Sequence, residues 1–428
     1  MVRKKIERRD FLKACGVGAG ALALPYILPS GALSQPSANE VTTRAVIGVG
    51  GMGSGHLGRL IERFKDDKDV RVAAVCDVDT ERRENALGRA LNAGCDCQAY
   101  ADFRQVLDRK DIDVVYVVTP PHWHALISIA AAQAGKDIYC EKPMTKFIHE
   151  GRAVQEAVAR YGRVWHIGTF GRYGARHYRK LIASGLLGSP IKVNLQQAKY
   201  NFKVREWSGR TDLTPEPVRE GLDWNLWLGP APSKPYHPHR CFGSFRGYWD
   251  YDGGGFSDMA AHYFDPIVYF MGYDNTGPVE IEAKALWPAH PDAVGMWETI
   301  TYRFADGNTI RCNSGEWGES DPPDMPFIEG PKGKVLDNDK TEPPGLFDQL
   351  GNVPEPEPLI DFETALRTRE TPGGNAEASQ RVATILHLGN IAIRLGRKVE
   401  WDPAKERFVN DDEANRFVNL PMREPWHL

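Results

Sequence analysis

Six residues, Gly48-Val49-Gly50-Gly51-Met52-Gly53, constrain the fold of this 428-residue chain more than any other feature. They follow an apolar, β-branched run that starts at Arg44. They precede a segment, His56 to Phe64, in which Leu57, Leu60, Ile61 and Phe64 recur at helical spacing. Strand, glycine turn and helix in that order open a doubly wound parallel sheet. The next apolar strand, Val70 to Cys76, ends in Asp77, 24 residues after Gly53. An acid at that distance accepts from a ribose 2′-hydroxyl, and a bare glycine backbone lets a pyrophosphate approach a helix N-terminus. Residues 41–166 are therefore predicted to form a dinucleotide-binding domain. Gly48, Gly50, Gly51, Met52, Gly53 and Asp77 are its first candidate contacts. A charge on Asp77 would repel a 2′-phosphate, which favours NAD over NADP; Arg82 and Arg83 keep NADP as the alternative.

The pattern continues. A helix is predicted from Glu81 to Leu91, then a strand from Val114 to Val118. That strand is wholly apolar apart from one tyrosine hydroxyl, as a sheet covered on both faces requires. It ends in Thr119-Pro120-Pro121-His122-Trp123-His124. After a helix from Ala125 to Ala134, the strand Asp137 to Cys140 ends in Glu141-Lys142-Pro143. Ligands collect at the carboxyl ends of such strands. Arg82, Thr119, Pro120, Trp123, His124, Glu141 and Lys142 thus join the cofactor candidates.

Taken in order, these motifs resemble the Gfo/Idh/MocA oxidoreductases. The resemblance extends to Gly168-Thr169, to Ser184-Gly185-Leu186-Leu187-Gly188, to a glycine turn leading into Asp258 and His262, and to Trp401-Asp402-Pro403. It implies an α/β protein: a Rossmann domain followed, over 167–428, by an α/β domain with an open, mainly antiparallel sheet. That sheet would join a homo-dimer or homo-tetramer. The substrate would lie between the domains, over the nicotinamide. Glu141 would contact the nicotinamide ribose and Lys142 the reacting hydroxyl, with a cis Lys142-Pro143 bond aiming the lysine.

Asp258 and His262 lie four apart and share one face of a predicted helix, Phe256 to Met271. An acid that orients or charges an imidazole is a common proton-transfer pairing. The resemblance makes them a substrate-binding and catalytic pair. His262 is assigned as general acid/base, Asp258 as its tuner and a substrate ligand, and Lys142 as the group that lowers the hydroxyl pKa. Asp265 is read as a cap or ion-pair member. Arg172, Tyr173 and Trp249 are further substrate candidates, although Phe170 and Gly171 depart from the family's pattern beside Arg172. Trp207, Trp224, Trp227 and Trp249 either stack on a sugar ring or fill the core.

No metal is expected. His122/His124, His237/His239 and Cys95/Cys97 lack further ligands at zinc-like spacing. Nine prolines between Glu319 and Pro358 suggest a long loop near the site or an oligomer arm. Closing helices are predicted from Ile360 to Thr368 and from Ala376 to Leu395, with His387 read as a core residue and a substrate-facing role as the alternative.

The N-terminus reads as an address. Arg8-Arg9-Asp10-Phe11-Leu12-Lys13 matches the twin-arginine pattern, an apolar stretch runs to Leu28, and Ala32-Leu33-Ser34 is a small-x-small site of the kind signal peptidase cleaves. Residues 1–34 are expected to engage the twin-arginine translocation machinery and deliver a periplasmic or otherwise exported protein. Lys plus Arg is 53 and Asp plus Glu 57, so the chain is not basic enough for a nucleic-acid binder. Seven cysteines do not make a disulfide framework.

Export restricts the chemistry. Free NAD is scarce outside the cytoplasm, so the cofactor should stay bound and be regenerated in each cycle. The reading is an NAD-dependent oxidoreductase acting on a secondary hydroxyl of a sugar, glycoside or cyclitol. The alternatives are a redox-neutral glycoside hydrolase working through transient C3 oxidation and elimination, and a non-catalytic sugar sensor.

Overall fold

The computed structural model describes residues 41–196 and 200–428. The expected export signal, 1–34, lies outside the described residues. The first sheet is built from β1 (Thr42–Ile47), β2 (Val70–Cys76), β3 (Gln98–Tyr100), β4 (Val114–Val117), β5 (Asp137–Cys140) and β6 (Trp165–Ile167). Their order is β3-β2-β1-β4-β5-β6 and every pairing is parallel. The strand order reverses between β1 and β4, which opens a crevice at their carboxyl ends. The core strands are apolar on both faces because helices cover both: β4 is buried at every position.

The second sheet holds β7 (Lys192–Leu195), β8 (Glu280–Ala285), β9 (Trp297–Arg303), β10 (Thr309–Asn313), β11 (Ile328–Gly330), β12 (Gly333–Val335), β13 (Thr341–Glu342), β14 (Val399–Asp402) and β15 (Arg407–Phe408). It is antiparallel except where β7 pairs with β10. Register decides its faces. Ile281 and Ile310 both stand opposite Tyr302 and Cys312 opposite Ile300, so these side chains share one face. They are buried against Phe256, Phe264 and Val268 of the long helix Gly254–Met271 and Ile385 and Leu388 of the helix Ala376–Leu395. The other register row, Glu282, Thr301 and Arg311, is polar.

The segment of nine prolines differs from the expected loop. It supplies β11, β12 and β13 at one edge of the second sheet, with prolines placed between the strands, where no ladder N–H is needed. It lies against the helix Arg176–Ser184, through Lys180–Glu355 and the Arg176 bond to the Pro356 carbonyl, and not beside the cleft described below.

The chain also returns to the first sheet. Phe362, Ala365 and Leu366 of the helix Phe362–Thr368 join the core around Val46, Val114 and Tyr116. Glu363 takes a two-pronged bond from Arg44, which is 1% exposed, at 2.7 and 2.6 Å. Trp426, near the C-terminus, packs edge-on against Trp123. Among the described residues, no helix is long and apolar enough to cross a membrane.

Candidate active site

A cleft of about 370 Å³ opens at the β1/β4 switch point. Its floor is the glycine turn. Gly48 has φ +88°, and a Cβ there would sit 2.6 Å from the Val118 carbonyl oxygen. A Cβ at Gly53 would sit 1.8 Å from the Gly48 carbonyl oxygen, so Gly53 closes the turn and does not itself line the cleft. Gly50, Gly51 and Met52 do line it, at the start of the helix Gly51–Asp66. That first turn carries no acid, which leaves its free N–H groups to an anion.

Asp77 lines the same cleft and accepts from the Val49 and Asp79 N–H groups at 2.9 and 3.0 Å. Burial pushes its carboxyl up, and the two backbone donors oppose that. Arg82, Thr119, Pro120 and Trp123 are on the walls. The Thr119 Oγ1 is buried without a partner, an orphaned group that a bound dinucleotide would satisfy. These residues fit the cofactor: anion-ready amides, an acid for the ribose and a free hydroxyl between them. His124 is a correction. It is buried, with its ring nitrogens 2.7 Å from the Thr119 carbonyl and 2.8 Å from that of Pro143. It ties two strand-end turns together and does not reach the cleft. Arg83 likewise bonds the Asp77 carbonyl and Thr80, leaving little for a 2′-phosphate.

The inner end of the cleft holds Glu141, Lys142 and Asp258. Glu141 Oε1 lies 2.7 Å from Nε2 of His56, a partner that sequence reasoning missed although it sits on the helix that follows the glycine turn. The Lys142-Pro143 bond is cis. Lys142 Nζ donates to Asp258 Oδ1 at 2.5 Å. Arg246 Nε donates to Asp258 Oδ2 at 2.7 Å. Burial works against the Asp258 charge, but Lys142 and Arg246 outweigh it and hold the carboxyl below its usual range. Arg246 carried no sequence signal, since it precedes Asp258 on a separate short turn, Ser244–Gly247.

His262 follows one turn later on the same helix, as expected, and Asp258 acts on it through charge and not through a hydrogen bond. Both Asp258 oxygens are taken by the two cations. The His262 Nδ1 is buried without a partner, and its ring stacks on Phe170 at 3.9 Å. Burial and then Lys142 lower its pKa to about 4, while Asp258 acts in the opposite sense. A carboxyl not foreseen stands alongside. Asp252 is buried, takes the Gly253 N–H, and is raised to about 7 by burial and by Asp258.

Three substrate candidates are corrected. Arg172 is 2% exposed and locked between Asp265 and Asp274 at 2.7 and 2.9 Å. Asp265 is thus the ion-pair member expected of it. Tyr173 donates to the Ile360 carbonyl, outside the cleft. Trp249 is buried in the core with its indole N–H on the His290 carbonyl. Of the other tryptophans, Trp227 lines the cleft, stacked on Trp224 at 4.8 Å. Among the described residues no group of three or more His, Cys, Asp or Glu is placed to hold a metal ion.

Buried charge also sets acid stability. Burial lowers His122 and His387 to about 3, and His166 and His262 to about 4. The unfolded chain protonates them near pH 6.5, so the stability they lend is present above that pH and lost as pH falls. Glu150 and Asp252, raised to about 7, act oppositely: their contribution is present below the ordinary carboxyl pKa and lost as pH rises through 7. The histidines outnumber them. Stability is expected to fall by roughly 2–3 kcal/mol per pH unit on acidification from about 6.5 to 4.5. Melting curves across that range check this; a Tm that rises on acidification contradicts it.

Comparison with known proteins agrees with this geometry. Residues 43–183 match the Gfo/Idh/MocA model described as an oxidoreductase family NAD-binding Rossmann fold. Residues 173–428 match the model for that family's C-terminal alpha/beta domain. The chain belongs to the Gfo/Idh/MocA oxidoreductase family. An inositol 2-dehydrogenase of Salmonella paratyphi B is 33% identical over 153 residues, covering 35% of this chain and 44% of that one. A glycosyl hydrolase family 109 protein of Shewanella baltica is 31% identical over 165 residues, covering 34% and 35%. The chain therefore spans less than half the length of either relative. The WlbA dehydrogenase from Bordetella pertussis, solved with NADH and UDP-GlcNAcA, superposes with a TM-score of 0.56 at 17% identity, covering 85% of this chain and 99% of that one. At that identity the likeness is one of fold.

Proposed function

We propose that this chain is an exported, NAD-dependent oxidoreductase acting on a secondary hydroxyl of a sugar, glycoside or cyclitol, with its cofactor retained through the cycle. The observation that carries this reading is Lys142 Nζ held on Asp258 in the cleft that the glycine turn and Asp77 also line. The name of one relative, an inositol 2-dehydrogenase, supports the substrate class. NAD is favoured over NADP because Asp77, at the carboxyl end of β2, lines the cleft, and its carboxylate would repel a 2′-phosphate. Self-association is assigned to the polar face of the second sheet.

When bound, the nicotinamide supplies a hydride acceptor. The protein supplies the rest. Lys142 keeps donors beyond the one given to Asp258, and these stabilise the developing alkoxide. His262 is neutral at pH 7 and so has a lone pair for the hydroxyl proton. Below about pH 4 that lone pair is protonated, so kcat/KM is expected to fall on the acid side of its profile. A His262→Asn variant should lose that limb along with most activity. The similarity to a glycosyl hydrolase family 109 protein favours a second reading, cleavage of a glycoside through reversible oxidation.

One set of measurements separates the readings. Protein isolated without added NAD should carry the dinucleotide. It is then screened against sugars, cyclitols and aryl glycosides, with nicotinamide absorbance and product read together. Net NADH supports a dehydrogenase. Product without net NADH supports glycoside cleavage or exchange between two sugars. Sugar binding with neither supports a sensor. A preparation that never binds NAD overturns the proposal.

A further inference from the structure

One segment of the C-terminal half touches both ends of the cleft. At the ribose end, Leu222 forms an antiparallel bridge with Asp79. Thr80 N–H donates to the Gly221 carbonyl at 2.9 Å and Asp223 N–H to that of Val78 at 3.1 Å. Arg219 pairs with the buried Asp79. The guanidinium groups of Arg82 and Arg219 lie 4.7 and 5.4 Å from the Phe242 ring, and Arg82 and Phe242 both line the cleft. Phe242 has φ +58° and Gly243 φ +110°, a sharp turn that sends the chain inward.

Three residues later the same segment reaches the reacting end. Arg246 donates from Nη1 to the Gly243 carbonyl at 3.2 Å and from Nε to Asp258 at 2.7 Å. Its guanidinium is 4.5 Å from the Trp207 ring and 4.8 Å from that of Phe245. A planar guanidinium stacked on aromatic faces has little freedom, so its fork is aimed. Asp258 is thereby held by a donor from the segment on one oxygen and by Lys142 on the other.

We propose that Arg246 is a positioning residue, through which the segment 219–246 couples retention of the dinucleotide to assembly of the Lys142–Asp258 pair. This rests on the oxidoreductase reading. While the segment lies over the cleft, Arg246 fixes Asp258, and Asp258 fixes the lysine ammonium. When the segment lifts, Asp258 loses one of its two cations and the lysine loses its anchor. The cofactor leaves only from a site that has ceased to be catalytic.

The groups facing Asp258 are Lys142 and Arg246, which favour its charge, and Asp252 and His262, which share the same small volume. Loss of Arg246 therefore raises the pH below which Asp258 protonates and releases Lys142. The test uses the holoenzyme with NADH as probe. Release of NADH is followed by nicotinamide fluorescence, and kcat is measured against pH. Arg246→Gln is expected to speed release by about tenfold or more. It should also bring Asp258 protonation up into the acid limb that His262 otherwise sets, so that kcat falls off about one pH unit higher. Arg246→Lys should restore the limb, since charge returns, but not slow release, since the tie to Gly243 is gone. Phe242→Ala cuts the segment's other anchor and should speed release and move the limb together; it serves if Arg246→Gln fails to fold. Wild-type release and a wild-type limb in Arg246→Gln overturn the inference while the oxidoreductase reading stands. So does fast release in Phe242→Ala that leaves the limb in place, since retention and assembly would then be uncoupled. A wild-type protein that binds no NADH overturns the reading and the inference together.

Discussion

Replacing Lys142 by methionine is expected to cut kcat by about a thousandfold while leaving the fold and the bound dinucleotide in place. The side chains are close in length, so packing at the end of β5 changes little. The partner left behind is not stranded. Asp258, although only 2% exposed, keeps Arg246 on its second oxygen at 2.7 Å. A carboxylate with one charge-assisted bond remaining is tolerable where a bare one is not. What disappears is an ammonium in the cleft wall that touches Asp258, and with it the charge that meets an alkoxide. The measurement is a single turnover of the retained cofactor with a substrate found in the sugar screen, together with a melting curve. Activity within tenfold of wild type removes Lys142 from the chemistry. Loss of activity with a collapsed Tm shows a structural role instead.

Much of the first sheet was legible because a parallel sheet covered on both faces leaves a simple trace. Asp137 to Cys140 is a strand in both readings, and Val114 to Val118 differs from β4 by one residue. Since strand ends in such a sheet converge by topology, Asp77, Thr119, Glu141 and Lys142 could be placed together before any distance was known. The catalytic pairing was not legible in the same way. Helical spacing correctly put Asp258 and His262 on one face, but spacing is silent about competitors from elsewhere. Lys142 arrives from 116 residues away and Arg246 from a separate turn, and two cations hold a carboxylate more strongly than a neutral imidazole does.

Arg172 and Trp249 show the opposite failure. Each stands near the motifs in sequence, and each is of a type that binds ligands. A buried arginine between two aspartates and a core tryptophan with its N–H on a carbonyl have the same composition as a binding site. Burial distinguishes them, and burial is set by the long-range packing of the two helices on the second sheet. The loop reading of the proline-rich segment failed for a related reason. Proline excludes a residue from a ladder interior, not from the short links between edge strands.

Gly53→Ala tests the part of the site that sequence did specify. The added methyl would lie 1.8 Å from the Gly48 carbonyl oxygen, and Gly48 is itself close against the backbone of Val118. Neither neighbour is the free end of a side chain, so the strain cannot be relieved by a rotamer change. The helix Gly51–Asp66 must shift away from β1, which unmakes the cleft floor. A loss of about 3 kcal/mol in stability is expected. If that strain were relieved by opening the cleft, dinucleotide affinity would fall by about a hundredfold. Gly51→Ala separates the two effects. Its methyl meets nothing within 4 Å, and alanine favours a helix over glycine by about 1 kcal/mol. Stability should therefore hold or rise. Gly51 nevertheless lines the cleft at the helix N-terminus, so an added methyl would enter the space from which an anion approaches, and NADH affinity should still fall. Denaturant unfolding and NADH titration of both variants read the two quantities independently. Unchanged stability in Gly53→Ala would show that the turn is looser than its geometry implies. Full NADH affinity in Gly51→Ala would show that the pyrophosphate lies elsewhere.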